Sequence, residues 1–179
     1  MQQTETATFA APPIDVDTEK LERLRRKALN PWLTRAYMLF KLPLGLFAGL
    51  RVASLDADRC ETTVPYGWRS TNPFRSIYFA AQAMAAELST GSIAMLAVEL
   101  SPVPVAMLIT KQEGEFTKKA TTRTTFTCED GDKIFAAVRE TIASGEPATV
   151  AATTVGRMAD GTEVSRFVFT WSFKKRAPR

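Results

Sequence analysis

A single carboxylate in a long apolar segment is the residue of this sequence with the clearest capacity for chemistry. The segment spans residues 76–98, is rich in alanine and carries Glu87 near its middle. A buried, unpaired carboxylate is costly because its charge loses hydration, so its presence indicates a use for it. We therefore take Glu87 as the first candidate for acid–base chemistry.

Polar side chains near Glu87 in the sequence could hydrogen-bond the carboxylate or a ligand. Gln82, Ser89 and Thr90 provide amide and hydroxyl groups for this purpose. On a helical wheel the carboxylate shares one edge with small residues, which leaves space beside it: Ala80, Ala83, Gly91 and Ala94. The competing interpretation is structural, with Glu87 paired to a buried basic residue.

The length of the apolar segment also allows a transmembrane helix. Glu87 at mid-span, together with several alanine, serine and threonine residues, favours a buried helix of a soluble domain instead. We expect no transmembrane span.

A loop directly before this segment concentrates hydrogen-bond donors. Arg69, Asn72 and Arg75 lie in it beside Trp68, and arginines near a helix N-terminus form a ready anion site. The alternative is that these arginines are simply solvated. Further basic candidates for anion contacts lie downstream: Lys111, Lys118, Lys119 and Arg123.

Composition excludes several classes of site. The chain has no histidine, which removes histidine-based nucleophilic triads and most zinc sites, and we expect no metal. Its 23 basic and 19 acidic residues suit a small anionic ligand better than nucleic acid. Cys60 and Cys128 lack a CxxC spacing and are expected to be buried thiols of a cytoplasmic protein, with a disulfide left open.

The N-terminal part of the chain is predicted to form a helical extension. Residues 1–17 resemble no signal peptide and are expected to be disordered, and residues 18–179 are expected to form one domain. Two helices are predicted within residues 18–50, with Asp17 capping the first and Pro31 starting the second. The apolar run of residues 37–50 is too short and broken to span a membrane; it is a helix on the domain surface, a membrane-surface contact or a lid.

The remaining patterns predict an antiparallel sheet around a long helix. The helix is predicted from Ser76 to about Leu88 because glycine and proline are absent there. Strands are predicted before and after it, the last with Phe167, Phe169, Trp171 and Phe173 on one buried face. The predicted elements are strands over 51–55, 59–66, 105–116, 119–128, 149–158 and 164–174 and a second helix over 129–147. This order predicts the α+β class.

The order of elements resembles the hotdog fold of acyl-CoA thioesterases and dehydratases, in which an antiparallel sheet wraps a long central helix. The string VPYGWRSTNPFRSIYFAAQAMAAELSTG is similar to the hotdog-like family catalogued as a domain of unknown function, number 4442. The similarity covers residues 31–175, and residues 64–91 are its specific part.

This resemblance implies roles for individual residues. In similar thioesterases an Asp or Glu about two turns into the central helix acts as nucleophile or general base, and Glu87 matches it. The His-Gly-Gly motif that opens their helix falls near Tyr78, Phe79 and Ala80 and is absent here, which makes close backbone approach to a carbonyl harder. The amides of this first turn would stabilise the oxyanion, and Ser89 or Thr90 would orient the acid or water.

The resemblance also implies partners. An acyl-CoA or related thioester would bind with its phosphates on surface cations, the candidates being Arg69, Arg75, Lys118 and Arg123, with the Asn72 amide as a further ligand-binding group. No cofactor is expected, and the chain would form homodimers, which could pair into tetramers. Two other hypotheses remain open: a non-catalytic acyl- or lipid-binding protein, and a membrane-associated structural protein.

Overall fold

A computed structural model describes residues 17–176, which form five helices and six strands. In chain order these are α1 (Thr18–Leu29), α2 (Pro31–Lys41), α3 (Pro43–Ala48), β1 (Arg51–Leu55), β2 (Cys60–Val64), α4 (Phe79–Leu100), β3 (Val105–Phe116), β4 (Thr124–Cys128), α5 (Gly131–Ser144), β5 (Ala148–Met158) and β6 (Glu163–Lys175). Disorder is expected for residues 1–17; residues 1–16 lie outside the described part of the chain, and Asp17 is the N-cap of α1.

Side-chain caps set the boundaries of the first two helices. The carboxylate of Asp17 accepts the backbone amide of Lys20 at 3.0 Å, as expected for an N-cap. Asn30 ends α1 and also caps α2, where its side chain accepts the amides of Trp32 at 3.0 Å and Leu33 at 3.2 Å. One residue therefore joins the two helices through a tight corner.

The six strands form one antiparallel sheet in the order β1-β2-β4-β5-β6-β3, and each strand contacts α4. The predicted alternation of β6 is confirmed, since Phe167, Phe169, Trp171 and Phe173 are all buried. Phe126 of β4 fits against Gly156 of β5, where a Cβ would come within 2.6 Å of the ring. The expected α+β architecture, a sheet wrapped around a long helix, is confirmed.

The start and end of α4 differ from the prediction. The helix begins at Phe79, three residues after the predicted start, because Ile77 is held in extended backbone. The Ile77 amide donates to the carbonyl of Ala120 at 2.8 Å, and Ile77 forms a bridge with Thr71. The helix continues past Gly91 to Leu100, since burial on several sides outweighs the low helix propensity of glycine.

The strand predicted over residues 119–128 is also shorter than expected. It begins at Thr124, because the carbonyl of the buried Ala120 pairs with the loop before α4 and not with a neighbouring strand. Residues 117–123 therefore form a loop packed against residues 67–78, which brings two predicted groups of cations to the same end of α4.

Helix α4 is long and apolar enough to cross a membrane by length and composition alone. In this fold it is the central helix, with the sheet wrapped around it and over half of its most apolar stretch buried. The same composition therefore serves the core of the domain.

Candidate active site

One stripe along α4 is not covered by the described part of the chain. Residues spaced three and four apart, which share one face of a helix, are half-buried or exposed along it: Ala80, Ala83, Met84, Glu87, Leu88, Ser92, Met95, Val98 and Glu99. The opposite side of α4 lies against the sheet and is buried. Glu87 therefore lies on the open side of the central helix.

The carboxylate of Glu87 lies over Gly91 and beside the indole of Trp171. A Cβ added at position 91 would be 2.8 Å from Oε1 of Glu87 and 3.3 Å from the Trp171 ring, so only glycine leaves this space free. Within residues 17–176 no ion pair includes Glu87. Burial raises the pKa of Glu87 above the ordinary glutamate value, because the charged form loses hydration there.

A chain of hydrogen bonds links the helix turn of Glu87 to β6. The indole N–H of Trp171 donates to Oγ1 of Thr90 at 3.1 Å, and the Thr90 hydroxyl lies 3.1 Å from the Glu87 carbonyl oxygen, to which it donates. Both Thr90 and Trp171 are buried. Thr90 therefore fixes two groups beside the Glu87 carboxylate: the backbone of Glu87 itself and the indole of Trp171.

Ser89 and Gln82 point toward the sheet. The Ser89 hydroxyl is 2.7 Å from the carbonyl of Ala86 and 2.8 Å from Oγ1 of Thr154 in β5. Gln82 accepts the hydroxyl of Ser165 at 2.8 Å and donates to the carbonyl of Ile77 at 3.0 Å. Their polar groups thus connect α4 to the core, and of the three polar neighbours predicted for Glu87 only Thr90 bonds to that residue.

The N-terminus of α4 carries no side-chain cap. Tyr78 is the N-cap residue, its amide donates to the carbonyl of Ser70 at 2.7 Å, and no side chain caps the first turn. Tyr78 and Phe79 are exposed, with their rings edge to face at 4.7 Å, and Ala80 is half-buried. The residues predicted to form an oxyanion site therefore lie at an accessible helix start.

Asn72 builds the turn that leads into α4. Its side-chain oxygen accepts the amides of Phe74 at 3.0 Å and Ser76 at 3.2 Å, and its carbonyl accepts the amide of Arg75 at 3.0 Å. Arg75 has a φ of 60°, the left-handed region, and is the one non-glycine residue in the described part with positive φ. A left-handed backbone conformation costs free energy in a residue other than glycine, and such residues are concentrated in functional loops.

Four predicted cations are exposed on the two loops that meet near this helix start. Arg69 and Arg75 belong to the loop 67–78, and Lys118 and Arg123 belong to the loop 117–123. The bond between Ile77 and Ala120 joins the loops. None of the four cations forms an ion pair with another described residue. Hydrogen bonds from Thr162 are the main cause of the lowered pKa of the Asp160 carboxyl, and Lys118 is close enough to contribute to it. The three arginines are therefore the better candidates for contact with an anionic group.

Two concave surfaces formed by the described residues lie away from Glu87. One is formed by residues 17–26 at the start of α1, and another by the turn after α4, at residues 98–105. The described residues contain no cluster of three or more cysteine, aspartate or glutamate side chains able to hold a metal ion.

Trp171 is the site residue that sequence reasoning did not identify. The alternation along β6 predicts its burial but not its neighbour, because the contact with Thr90 joins residues 81 positions apart. A buried indole usually donates its N–H to an acceptor. This requirement is the one sequence signal that could have suggested a polar partner for Trp171.

Comparisons with known proteins place this geometry in a family. A family model described as a domain of unknown function (DUF4442) matches residues 30–173. A search of curated proteins gives no significant match.

Several solved structures share the fold at low sequence identity. A candidate thioesterase of Shewanella oneidensis has a TM-score of 0.65 and 14% identity, covering 87% of this chain and 97% of its own. A thioesterase of Haemophilus influenzae has a TM-score of 0.54 and 11% identity, covering 87% and 90%. The PaaI protein of the Escherichia coli phenylacetic acid degradation operon has a TM-score of 0.56 and 12% identity, covering 86% and 96%.

These similarities confirm the hotdog fold expected from the sequence, with added N-terminal helices. Because the family model spans four fifths of the chain, from the start of α2 to residue 173 in β6, the family assignment covers the candidate site as well as the scaffold. The chain belongs to the DUF4442 family.

Proposed function

We propose that this protein hydrolyses acyl-CoA or a related thioester, with Glu87 as the general base that activates water. The observation that carries the proposal is a half-buried carboxylate without an ion-pair partner in residues 17–176, on the open side of the central helix. Its raised pKa makes the carboxylate a better proton acceptor than an exposed glutamate. The fold is shared with proteins named as thioesterases.

In the reaction, Glu87 takes a proton from water as the water oxygen attacks the thioester carbonyl. The C–S bond then breaks, giving a carboxylic acid and a thiol, and the proton returns from Glu87 to the thiolate. The negative oxygen formed on the carbonyl carbon needs hydrogen-bond donors. The uncapped first turn of α4, around Phe79 and Ala80, supplies backbone amides for it.

Two copies of the chain are needed to bring these groups together. Glu87 is seven positions after Ala80, which is about 10 Å along a helix. Its carboxylate lies further from Ala80 still, over Gly91. One thioester carbonyl cannot contact both groups of the same α4. We therefore place Glu87 of one protomer beside the helix start of its partner, in a homodimer.

The edge strand β3 is suited to form this dimer. It has twelve residues, its one strand neighbour among the described residues is β6, and most of its length is exposed. Antiparallel pairing of two β3 strands about Gln112 would place Lys111 opposite Glu113 of the other copy, a favourable cross-strand pair. Such pairing would join the two sheets into one.

The phosphates of the carrier would bind at the loops before α4. Arg69, Arg75, Lys118 and Arg123 present exposed positive charge there, and Asn72 fixes the turn that displays Arg75. The two cysteines, both buried and free, fit the reducing cytoplasm, where acyl-CoA is available.

An assay with a panel of acyl-CoAs tests the proposal. We expect thiol release by the wild type and a loss of about 100-fold or more in kcat for Glu87→Gln, as is typical when a general base is removed. Glu99→Gln, on the same helix and exposed, is the matched control and should retain activity. Equal turnover by Glu87→Gln and wild type would exclude Glu87 from the mechanism.

A non-catalytic acyl-binding function is the second candidate. It is favoured by the aromatic pair Tyr78 and Phe79 at the position where similar thioesterases have His-Gly-Gly, since these rings offer apolar contact and restrict backbone approach. Native mass spectrometry separates the two functions. A retained acyl ligand without turnover on any thioester of the panel would support the binding protein.

A further inference from the structure

The outward face of α2 is apolar, which is the reverse of the usual arrangement for a surface helix. Met38 is its one buried residue. The exposed residues on the other side are Trp32, Leu33, Ala36, Tyr37, Leu39 and Phe40, and at 100° per residue they cover about 160° of arc, centred opposite Met38. Trp32 is 77% exposed and Phe40 is 79% exposed.

Two other segments also expose large apolar side chains, and one of them, α3, packs against α2. Leu44 and Phe47 of α3 are exposed, and the Phe47 ring meets Trp68 edge to face, with centroids 5.9 Å apart. Trp68 is 81% exposed. We call the exposed apolar residues of α2 and α3, together with Trp68, the apolar face. Clusters of large exposed apolar side chains mark sites that bind another apolar surface.

Basic residues border the apolar face on α2 from both sides. On the helical wheel Arg35 follows Leu39 and Lys41 follows Tyr37, each about 40° beyond the edge of the apolar arc. Both are exposed, and the Arg35 guanidinium lies 5.8 Å from the centroid of the Trp32 ring. The arrangement puts a positive charge at each margin of the apolar surface.

Positive charge is concentrated in this part of the chain. Residues 18–51 contain eight basic and two acidic residues, whereas the whole chain has 23 and 19, so the remainder is slightly acidic. An apolar helix face with aromatic residues and flanking cations suits the interface of a bilayer with negatively charged headgroups. The charge balance favours this surface over a second copy, which would bring the same excess of cations against itself.

We infer that the apolar face is a docking surface for an anionic phospholipid bilayer, on which α2 lies parallel to the membrane plane. Trp32, Phe40 and Trp68 insert among the headgroups and upper acyl chains, and Arg35 and Lys41 contact the phosphates. The chain binds the membrane from one side and does not cross it. This inference does not depend on Glu87 or on catalysis.

Co-sedimentation with vesicles tests the inference. We use vesicles of phosphatidylcholine alone and of phosphatidylcholine with 30% phosphatidylglycerol. The wild type should bind the anionic vesicles at low salt and lose binding in neutral vesicles or high salt. Absence of binding to the anionic vesicles would overturn the inference.

Two double variants separate the apolar and the electrostatic contributions. Trp32→Ser with Phe40→Ser, and Arg35→Gln with Lys41→Gln, should each reduce partitioning to anionic vesicles by about tenfold or more. The side chains replaced are exposed, so the fold should be retained. The matched charge control is Lys133→Gln with Arg157→Gln, which removes two exposed cations from α5 and β5 and should bind as the wild type does.

Other outcomes distinguish the membrane from a protein partner and from the proposed catalysis. Light scattering measures whether the Trp32→Ser and Phe40→Ser double variant has a different molar mass in solution from the wild type. If it does, and the wild type does not bind vesicles, the apolar face is an interface between copies of the chain and the inference is wrong. Glu87→Gln should bind vesicles as the wild type does. Loss of activity in that variant with intact vesicle binding would show that membrane binding does not require Glu87.

Discussion

Gly91 holds open the space that the carboxylate of Glu87 occupies. A Cβ at position 91 would lie 2.8 Å from Oε1 of Glu87 and would also crowd the ring of Trp171 at 3.3 Å. The glycine is one helical turn after Glu87, inside a continuous helix where alanine would be intrinsically better by about 1 kcal/mol. Glycine at position 91 therefore lowers the stability of the helix but leaves space for the carboxylate of Glu87.

Gly91→Ala should reduce activity without a matching loss of stability. The added methyl group displaces the carboxylate, so we expect kcat to fall by about tenfold or more, the scale on which small misplacements of reacting groups act. The gain in helix propensity should offset much of the crowding, leaving the melting temperature within a few degrees of the wild type. Acyl-CoA turnover and thermal unfolding measure the two effects. Gly67→Ala, where a Cβ meets nothing within 4 Å, is the control and should change neither.

Glu87→Gln should stabilise the protein at neutral pH and not at acid pH. Burial raises the pKa of Glu87, so below its ordinary value of 4.5 the residue is protonated in both folded and unfolded chains. As the pH rises past that value the unfolded chain ionises first, and the wild type loses stability relative to the variant until the folded carboxyl also ionises. We expect the variant to melt at a higher temperature than the wild type at pH 7 and to lose this advantage toward pH 4.

Melting curves of both proteins from pH 4 to pH 8 measure this difference. Glu99→Gln, which replaces an exposed carboxylate on the same helix, is the control for the removal of one negative charge. A difference between wild type and Glu87→Gln that stays constant across the range would contradict the burial of an ionisable carboxyl at this site.

The bond between Trp171 and Thr90 should appear as an energetic coupling. Trp171→Phe removes the indole donor and Thr90→Val removes its acceptor, so each loses the same 3.1 Å hydrogen bond. Denaturant unfolding of both single variants and the double variant should give a coupling of about 0.5–1.5 kcal/mol. Strictly additive losses would mean that the bond contributes nothing to stability.

Both cysteines should be unreactive in the native protein. Cys60 and Cys128 are buried and lie opposite each other in the β2–β4 pair. Burial, as the main cause, raises the pKa of Cys60 to about 12 and that of Cys128 to about 11, so almost no thiolate exists at pH 8. Titration with a thiol reagent should detect almost none in the native state and two per chain in denaturant. Rapid native labelling would show that the β2–β4 region opens readily.

The sequence was sufficient to predict the elements that obey a simple periodicity. Strict alternation in β6 and the alanine-rich composition of α4 depend only on local chain geometry, and both predictions are confirmed. The unusual carboxylate was also found this way, because an isolated Glu87 stands out in an apolar helix whatever surrounds it.

Contacts between distant segments could not be predicted from the same patterns. A helical wheel gives the angle between Ser89 and Glu87 but not which side the sheet covers, so the bond from Ser89 to Thr154 was not foreseen. The late start of α4 has the same origin, since the Ile77 amide is taken by Ala120, 43 residues further along the chain.

The position of β6 in the sheet has a consequence for synthesis on the ribosome. β3 precedes β6 by about fifty residues, yet among the described strands β6 is its one neighbour. In a nascent chain that has emerged only as far as β5, β3 has no strand to pair with. The hydroxyl of Thr90 also lacks its hydrogen-bond donor, the indole of Trp171. The central helix can be wrapped on both sides only when the last described strand leaves the exit tunnel, so translational pausing before β6 should expose an aggregation-prone intermediate.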